Sequence, residues 1–531
     1  MRVGRSYVRS QVGDTWDAIV IGSGIGGLTT AGFLAREGKD VLVLERHTTA
    51  GGCTQVFRRA GYERDMGVHY LGEVHKPTSS LFQIFDHVSG GALQWAPMSD
   101  VYNRVVIGDR EYEFPSGFDS FIQRMKGYFP HEAAAIDAYV GLVLQVAMAA
   151  RKYFGHRALP PPLAADAYER MCEPFLEFSD RTALSVLSEL TSDKELIAVL
   201  CGHFGDYSLS PSRVSFAMHA LMVRHYMDGA NYPVGGSGKI AHSIAEVIRS
   251  AGGEVLIGAE VASILIGRDG TAQGVMMADG RSFHAPVVIS DAGIANTVRL
   301  LPQATADRTG LSGPVAAMEP SLPWVLLTIG VHESSGALGL DRSNVWVHSD
   351  TDFEARMAAF DADPQHQPMP VCFLTFPSAK DPSWDRRHPG RATIEIAGLT
   401  TWSLFEPFAD SRWMRRGEEY DQLKKRLTTE LLDHVLRLFP QLDGKIDHLE
   451  LATPLSFNHF LTRSAGDFLS FAHTPQRFRQ RWISAHSPVG GLFFTGQDVV
   501  TGGIGGAATA GALTASAVLG RDVLRQLPLP R

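Results

Sequence analysis

The chain has 531 residues, 44% of them hydrophobic and 20% charged, with a formal net charge of −8. That length exceeds one ordinary core and predicts two or three domains of a globular protein. The acid excess argues against a phosphate-binding face, so no nucleic-acid partner is expected. Four cysteines (Cys53, Cys172, Cys201 and Cys372) include no CxxC pair, which disfavours a disulfide framework or a zinc site and suits a reducing, cytoplasmic setting.

The opening MRVGRSYVRSQVGDTW carries three arginines and no apolar core of a signal peptide. It reads as a frayed tail, with contact to an anionic membrane as the alternative. No uninterrupted run of about 20 apolar residues is present, so no membrane span is expected.

Residues 18–45, AIVIGSGIGGLTTAGFLAREGKDVLVLE, form the most informative stretch. An apolar run enters Gly22-Ser23-Gly24-Ile25-Gly26-Gly27, a helical stretch follows to about Glu37, and a second apolar run ends in Glu45. This is the strand-turn-helix-strand unit of dinucleotide-binding proteins. Gly22 permits the turn, Gly24 lets backbone approach a pyrophosphate, and Gly27 lets helix and strand pack closely. The helix N-terminus offers unpaired N–H groups to phosphate, and Glu45 can accept ribose hydroxyls. Gly51-Gly52 supplies a second bare backbone turn soon after.

Residues 118–229 are largely helical in pattern. Gly235-Gly236-Ser237-Gly238 opens another helix, and strand-like runs follow through EVLIGAEVASILIG, AQGVMMADGRSF and APVVISDAG. WVLLTIGVH and RATIEIAGL read as strands. Residues 416–439 read as an amphipathic helix with Leu423, Leu427, Leu431, Leu432, Val435 and Leu438 on one side. Gly491–Thr495 reads as a short buried strand. The expected class is α/β. A Rossmann-like nucleotide domain is split into 14–75, 230–300 and 481–531, with an α+β substrate domain inserted as 76–229 and 301–480.

ERHTTAGG, GYERDMGVHYLG, HALMVRHYMDGANYPVGGSGKIAHSIAEVIRSAGGEVL and the ending GLFFTGQDVVTGGIGGA together resemble the retinol saturase, carotenoid isomerase and phytoene desaturase family of flavoproteins. The third stretch resembles the retinol-saturase branch in particular. The resemblance implies FAD in a glutathione-reductase-like or amine-oxidase-like domain. It places Gly22, Gly24, Gly26 and Gly27 at the pyrophosphate, Glu45 at the adenosine ribose, and Arg46, Gly51 and Gly52 along the ribityl-phosphate path. Val261 would meet the adenine through its backbone. Gly496 and Asp498 would lie near the phosphate and ribityl chain, and the helix opening near Gly505, Gly506 and Ala507 would point at the flavin pyrimidine edge. His69 and Tyr70 are the candidates for proton traffic.

Twenty histidines include no HExxH and no Cys/His cluster, so no metal is expected. The resemblance implies an oxidoreductase that saturates, desaturates or isomerises a carbon–carbon double bond in a long apolar lipid: a retinoid, a carotenoid or an unsaturated fatty-acyl chain. An amine-oxidase-like enzyme and a non-catalytic lipid carrier on the same scaffold are the alternatives. The helices of 118–229 could line a lipid tunnel or simply form core. The clusters Arg412–Arg416 and Arg477–Trp482 mix cations with aromatics and read as solvated surface, or as contacts to a membrane or lipid headgroup.

Overall fold

The computed structural model describes residues 2–462 and 465–527. Six parallel strands form one sheet, in the spatial order Arg5–Ser6, Glu254–Ile257, Val41–Glu45, Ala18–Ile21, Val287–Ser290, Leu492–Phe494. A parallel sheet must be covered on both faces, and Ile19, Val20, Val41, Leu42 and Val43 have no solvent exposure. The helix Ile25–Arg36 packs between Gly238–Ser250 and Gly503–Leu519 on one face. A three-stranded antiparallel meander, Val261–Ile266, Ala272–Met277 and Ser282–His284, packs against the Val287–Ser290 strand.

The N-terminus departs from the expected frayed tail. Arg5–Ser6 is an edge strand in register with Leu256 and Ile257, Val3 and Tyr7 are buried, and Arg5 pairs with Glu254 at 2.7 Å. The short strand uses the main-chain groups that the sheet edge would otherwise leave open.

A second sheet of seven strands runs in the order Ile446–Ala452, Trp324–Val331, Ala392–Leu399, Cys372–Thr375, Asn344–His348, Val101–Ile107, Arg110–Pro115. The helix Glu418–Leu438 covers it with Leu427, Leu431 and Val435. Acids in its first turn and Arg437 in its last suit the helix dipole. Six helices between Phe118 and Tyr226 form a third block. Their apolar residues pack largely into one continuous core, including Phe121, Ile136, Val143, Leu176, Leu187 and Phe216. Among the described residues, one helix, Pro130–His156, is long and apolar enough to cross a membrane by length and composition alone. One side of it, through Ile136, Tyr139, Val140, Val143 and Val146, is spent on the core.

Candidate dinucleotide site and its polar seam

Gly22 takes φ +91° between the first strand and helix, which an L side chain rarely adopts. The helix opens at Gly24, which has no side chain to cap it, and carries no acid in its first turn, so its positive end faces the glycine turn as an anion-binding N-terminus does. The bareness of the other glycines has a protein-side cause that spacing alone does not reveal. A Cβ on Gly24 or on Gly496 would collide with the Asp291 carboxylate. One on Gly26 would lie 2.5 Å from Gly496 Cα and 2.6 Å from its N, and one on Gly27 would lie 2.6 Å from Gly22 O. Asp291 is therefore wedged among the motif glycines. Its place at the end of the APVVISDAG strand was visible in the sequence, but its role was not.

Glu45 Oε2 accepts from Ser23 N at 3.0 Å and Ser23 Oγ at 2.6 Å, and Oε1 accepts from His47 N at 2.7 Å. The carboxylate is thus fixed at the mouth of the glycine turn. Gly51 N donates to Ser23 O at 3.1 Å, and a Cβ on Gly52 would sit 3.0 Å from Gly24 Cα, so the second glycine turn lies on the first. Val261 begins the meander. Just before it, Gly258 N donates to His47 O and Ala259 N to Glu45 O, each at 2.8 Å, which brings this stretch alongside the Glu45 end.

Asp498 is 1% exposed; Oδ2 accepts from Ile294 N at 2.8 Å, while the buried Oδ1 has no hydrogen-bond partner. The helix Gly503–Leu519 also opens with neither a side-chain cap nor an acid, and carries Gly505, Gly506 and Ala507 in its first turns. Two uncapped helix N-termini for anions and two buried acids for hydroxyls, one with an orphaned oxygen, form the donor and acceptor set of a dinucleotide. The residues present fit that group.

Two expected residues are engaged elsewhere. Arg46 donates to the carbonyls of His459 and Phe460 at 2.7 and 2.9 Å, so its guanidinium serves the helix Pro454–Leu461. The Arg477–Trp482 cluster divides: Arg479 and Arg481 are exposed, as a solvated surface run would be, but Arg477 has no exposure and donates to Phe471 O, Gln497 O and Asp498 O at 2.6, 2.9 and 3.1 Å. Arg157, also buried, donates to Val499 O at 2.7 Å. Two buried cations thus hold the loop that carries Asp498. Arg479 pairs with Asp180, and Arg481 lies 3.8 Å over the Tyr168 ring. In the other cluster Trp413 stacks on His459 at 4.3 Å, leaving Met414 79% exposed.

His69 and Tyr70 cross over the seven-stranded sheet, where a row of polar residues interrupts apolar strands. Glu450 stands opposite Thr328, Thr328 opposite Glu395, Glu395 opposite Thr375, and Asn344 opposite Asn103. Thr328, Glu395, Thr375, Asn344 and Asn103 are all buried. Arg64 donates to Thr328 Oγ1 and lies 3.3 Å from Glu450 Oε2. Lys380 Nζ donates to His69 O at 2.8 Å and to Asn344 Oδ1 and Thr375 Oγ1 at 2.5 Å each. His69 Nδ1 lies 3.2 Å from Glu395 Oε2, off the line of a hydrogen bond, and neither Glu395 oxygen has a hydrogen-bond partner.

The Tyr70 phenol is committed: it donates to Asp206 Oδ2 at 2.5 Å, and its ring stacks on Tyr226 at 4.1 Å. Burial and Asp206 push the phenol well above its ordinary range. Burial raises the Asp206 carboxyl to about 7, against the lowering effects of Tyr70 and His69. Burial, with Glu395, also raises Asp65, which accepts from Ser237 and Tyr232. Glu395 had one sequence signature, an acid in the middle of RATIEIAGL. Lys380, Asp65 and Asp206 had none.

Residues 20–88 match the NAD(P)-binding Rossmann-like domain family. Human all-trans-retinol 13,14-reductase is 36% identical over 98% of this chain and 88% of its own. The chain belongs to the retinol saturase and carotenoid isomerase family. A Danio rerio member named as an inactive all-trans-retinol 13,14-reductase is 31% identical over 97% of this chain and 88% of its own. The chloroplastic prolycopene isomerase of Arabidopsis thaliana is 27% identical over 85% of this chain and 74% of its own. Among solved structures, cyclohexylamine oxidase from Brevibacterium oxydans aligns with TM-score 0.61 over 95% of this chain and 98% of that one, at 17% identity, a likeness of fold alone. This member of the retinol saturase family is an oxidoreductase on the amine-oxidase scaffold, with a dinucleotide cofactor.

Proposed function

We propose that this retinol saturase family member binds FAD and saturates or isomerises a carbon–carbon double bond of a long conjugated polyene, a retinoid or a carotenoid. The observation that carries the reading is the intact set Gly22, Gly24, Gly27, Glu45 and Asp498, with its orphaned oxygen, in a chain related along its whole length to retinol reductases. Gly22–Gly27 and the first helix would hold the pyrophosphate, Glu45 and Asp498 the sugar and ribityl hydroxyls, and the Gly503–Leu519 N-terminus the flavin pyrimidine edge. Bound there, FAD supplies hydride-level two-electron chemistry. The chain supplies orientation, a dry setting and a proton, which His69 is the group to hold and move at its Nε2. Tyr70 braces the site through Asp206 instead of exchanging a proton.

The polyene reaches the protein from a bilayer. Leu144 and Met148, one helical turn apart, and Leu163 on the next helix are exposed, with exposed Arg151 and Lys152 following on the same helix. Exposed apolar side chains beside cations suit an anionic membrane surface.

The test is product analysis. Purified protein is reduced chemically without oxygen and given all-trans-retinol, a carotenoid, an unsaturated fatty acid or cyclohexylamine. The reading predicts released FAD on denaturation and a retinoid or carotenoid product altered at one double bond. Turnover of the amine alone, or a protein that neither holds nor takes up FAD, would overturn it.

A further inference from the structure

We infer that Glu395 and Lys380 are the positioning residues that aim His69, Glu395 through the ring and Lys380 through the main chain. The inference rests on the proton role given to His69 above and adds two residues outside the nucleotide motifs.

Glu395 is an expensive residue for this strand to carry. It has no exposure, it sits centrally in an apolar strand, and neither oxygen finds a hydrogen-bond donor. Buried polar groups are nearly always paired, so an unpaired carboxylate needs a reason. His69 Nδ1 stands 3.2 Å from Glu395 Oε2, and the charges of Lys380 and Arg64 also reach that carboxylate. A carboxylate facing Nδ1 favours a proton there in the neutral ring, leaving Nε2 as the free exchanging nitrogen.

Lys380 fixes the other end of the residue. An ammonium has three donors, and Lys380 meets three acceptors: His69 O, Asn344 Oδ1 and Thr375 Oγ1. From Asn344 the donors run on in one direction, to Asn103 Oδ1 at 3.0 Å, from Asn103 to the Tyr70 hydroxyl at 3.4 Å, and from Tyr70 to Asp206. The two residues His69 and Tyr70 are thus tied to the sheet by one chain of hydrogen bonds. Burial pulls Lys380 down to about 7, while Glu395 and Asp65 pull it back up. The charged groups around His69 are Glu395 from the sheet, Lys380 from the helix Pro377–Lys380, Asp65 from the strand Tyr62–Asp65, and Asp206 from the helical block, while Arg64 faces Glu395 from the same strand as Asp65.

In a saturation step the π electron pair would take up a proton at one olefinic carbon, and a reduced flavin, once bound, would supply the hydride for the other, so that two hydrogens and two electrons are added and the flavin's two electrons are spent. On this inference the proton leaves His69 Nε2, and Glu395 steadies the ring.

The decisive experiment is nitrogen NMR of the holoprotein with labelled histidine, His69 being assigned by difference against His69→Gln. In the native protein near neutral pH, neutral His69 is expected as the Nδ1–H tautomer. Glu395→Gln and Glu395→Leu should fold and hold cofactor but lose that preference, and Lys380→Met should broaden or shift the same resonances. Glu395→Gln should also lower kcat about 100-fold with KM within about twofold. In the His69→Gln background, Glu395→Gln should bring no further loss. An Nε2–H tautomer in the native protein, or a tautomer and kcat indifferent to Glu395→Leu, would overturn the inference. If the native protein turns over no polyene, the functional reading fails, and the tautomer result still decides this one.

Discussion

Arg477→Met tests whether the Asp498 loop is built as described. Three carbonyls, those of Phe471, Gln497 and Asp498, would lose a donor now within 3.1 Å. Each buried acceptor left unpaired costs about 1–3 kcal/mol, or about 6 kcal/mol for three at mid-range. Removing the cation returns part of this. Burial lowers Arg477 from 12.5 to about 10, which corresponds to about 3 kcal/mol against the charged form. The net loss is about 3 kcal/mol. For 531 residues unfolding as one unit, the entropy of unfolding is about 1.1 kcal/mol per kelvin, so Tm should fall by about 3 °C. Scanning calorimetry reads that shift, and flavin absorbance after gel filtration reads cofactor retention, which should fall more steeply because the freed loop carries Asp498. Arg477→Lys should fall between the two, since one ammonium cannot reach all three carbonyls. A Tm unchanged for Arg477→Met, with full cofactor content, would refute the clamp.

Gly26→Ala should cost about 1–3 kcal/mol in denaturant unfolding and impair cofactor uptake, because the new methyl meets the Gly496 main chain, which no rotamer change can relieve. Gly141→Ala is its counterpart: nothing lies within 4 Å of that Cβ, the position is inside a helix, and a gain of about 0.5–1 kcal/mol is expected. Asp206 binds a proton in the folded state up to about pH 7, whereas its unfolded value is 3.8, so its contribution to stability is present at low pH and is lost as pH rises through 7. Asp206→Asn should therefore gain on the native protein by about 3 kcal/mol between pH 5 and pH 8 in urea titrations; parallel pH dependences would count against it. Leu144→Glu with Met148→Glu should abolish sedimentation with anionic vesicles at unchanged Tm, and retained sedimentation would remove that face from the account.

The nucleotide half was legible because its chemistry is local. A turn with φ +91° at Gly22, a close approach at Gly26 and an acid at the strand end each leave a mark at fixed spacing. The amphipathic helix was equally plain, its Leu427, Leu431 and Val435 buried as the period predicts. The N-terminal strand was hidden because two residues carry no period, and its reason to order lies in a sheet edge some 250 residues away in sequence. Arg477 was misread because a buried guanidinium satisfied by carbonyls has the same letters as a solvated one. The polar seam was invisible for a related reason: Asn103, Asn344, Thr375 and Glu395 align only through strand register, and Lys380 reaches them from a helix of four residues.

On the proposed function, this fold couples a bound flavin to a polyene double bond. Rapid anaerobic mixing of the reduced protein with a retinoid or carotenoid tests it directly. The account predicts return of oxidised-flavin absorbance in step with loss of the polyene chromophore, in equal amounts, and slowed by Glu395→Gln. Flavin that stays reduced while every polyene offered remains intact would contradict it.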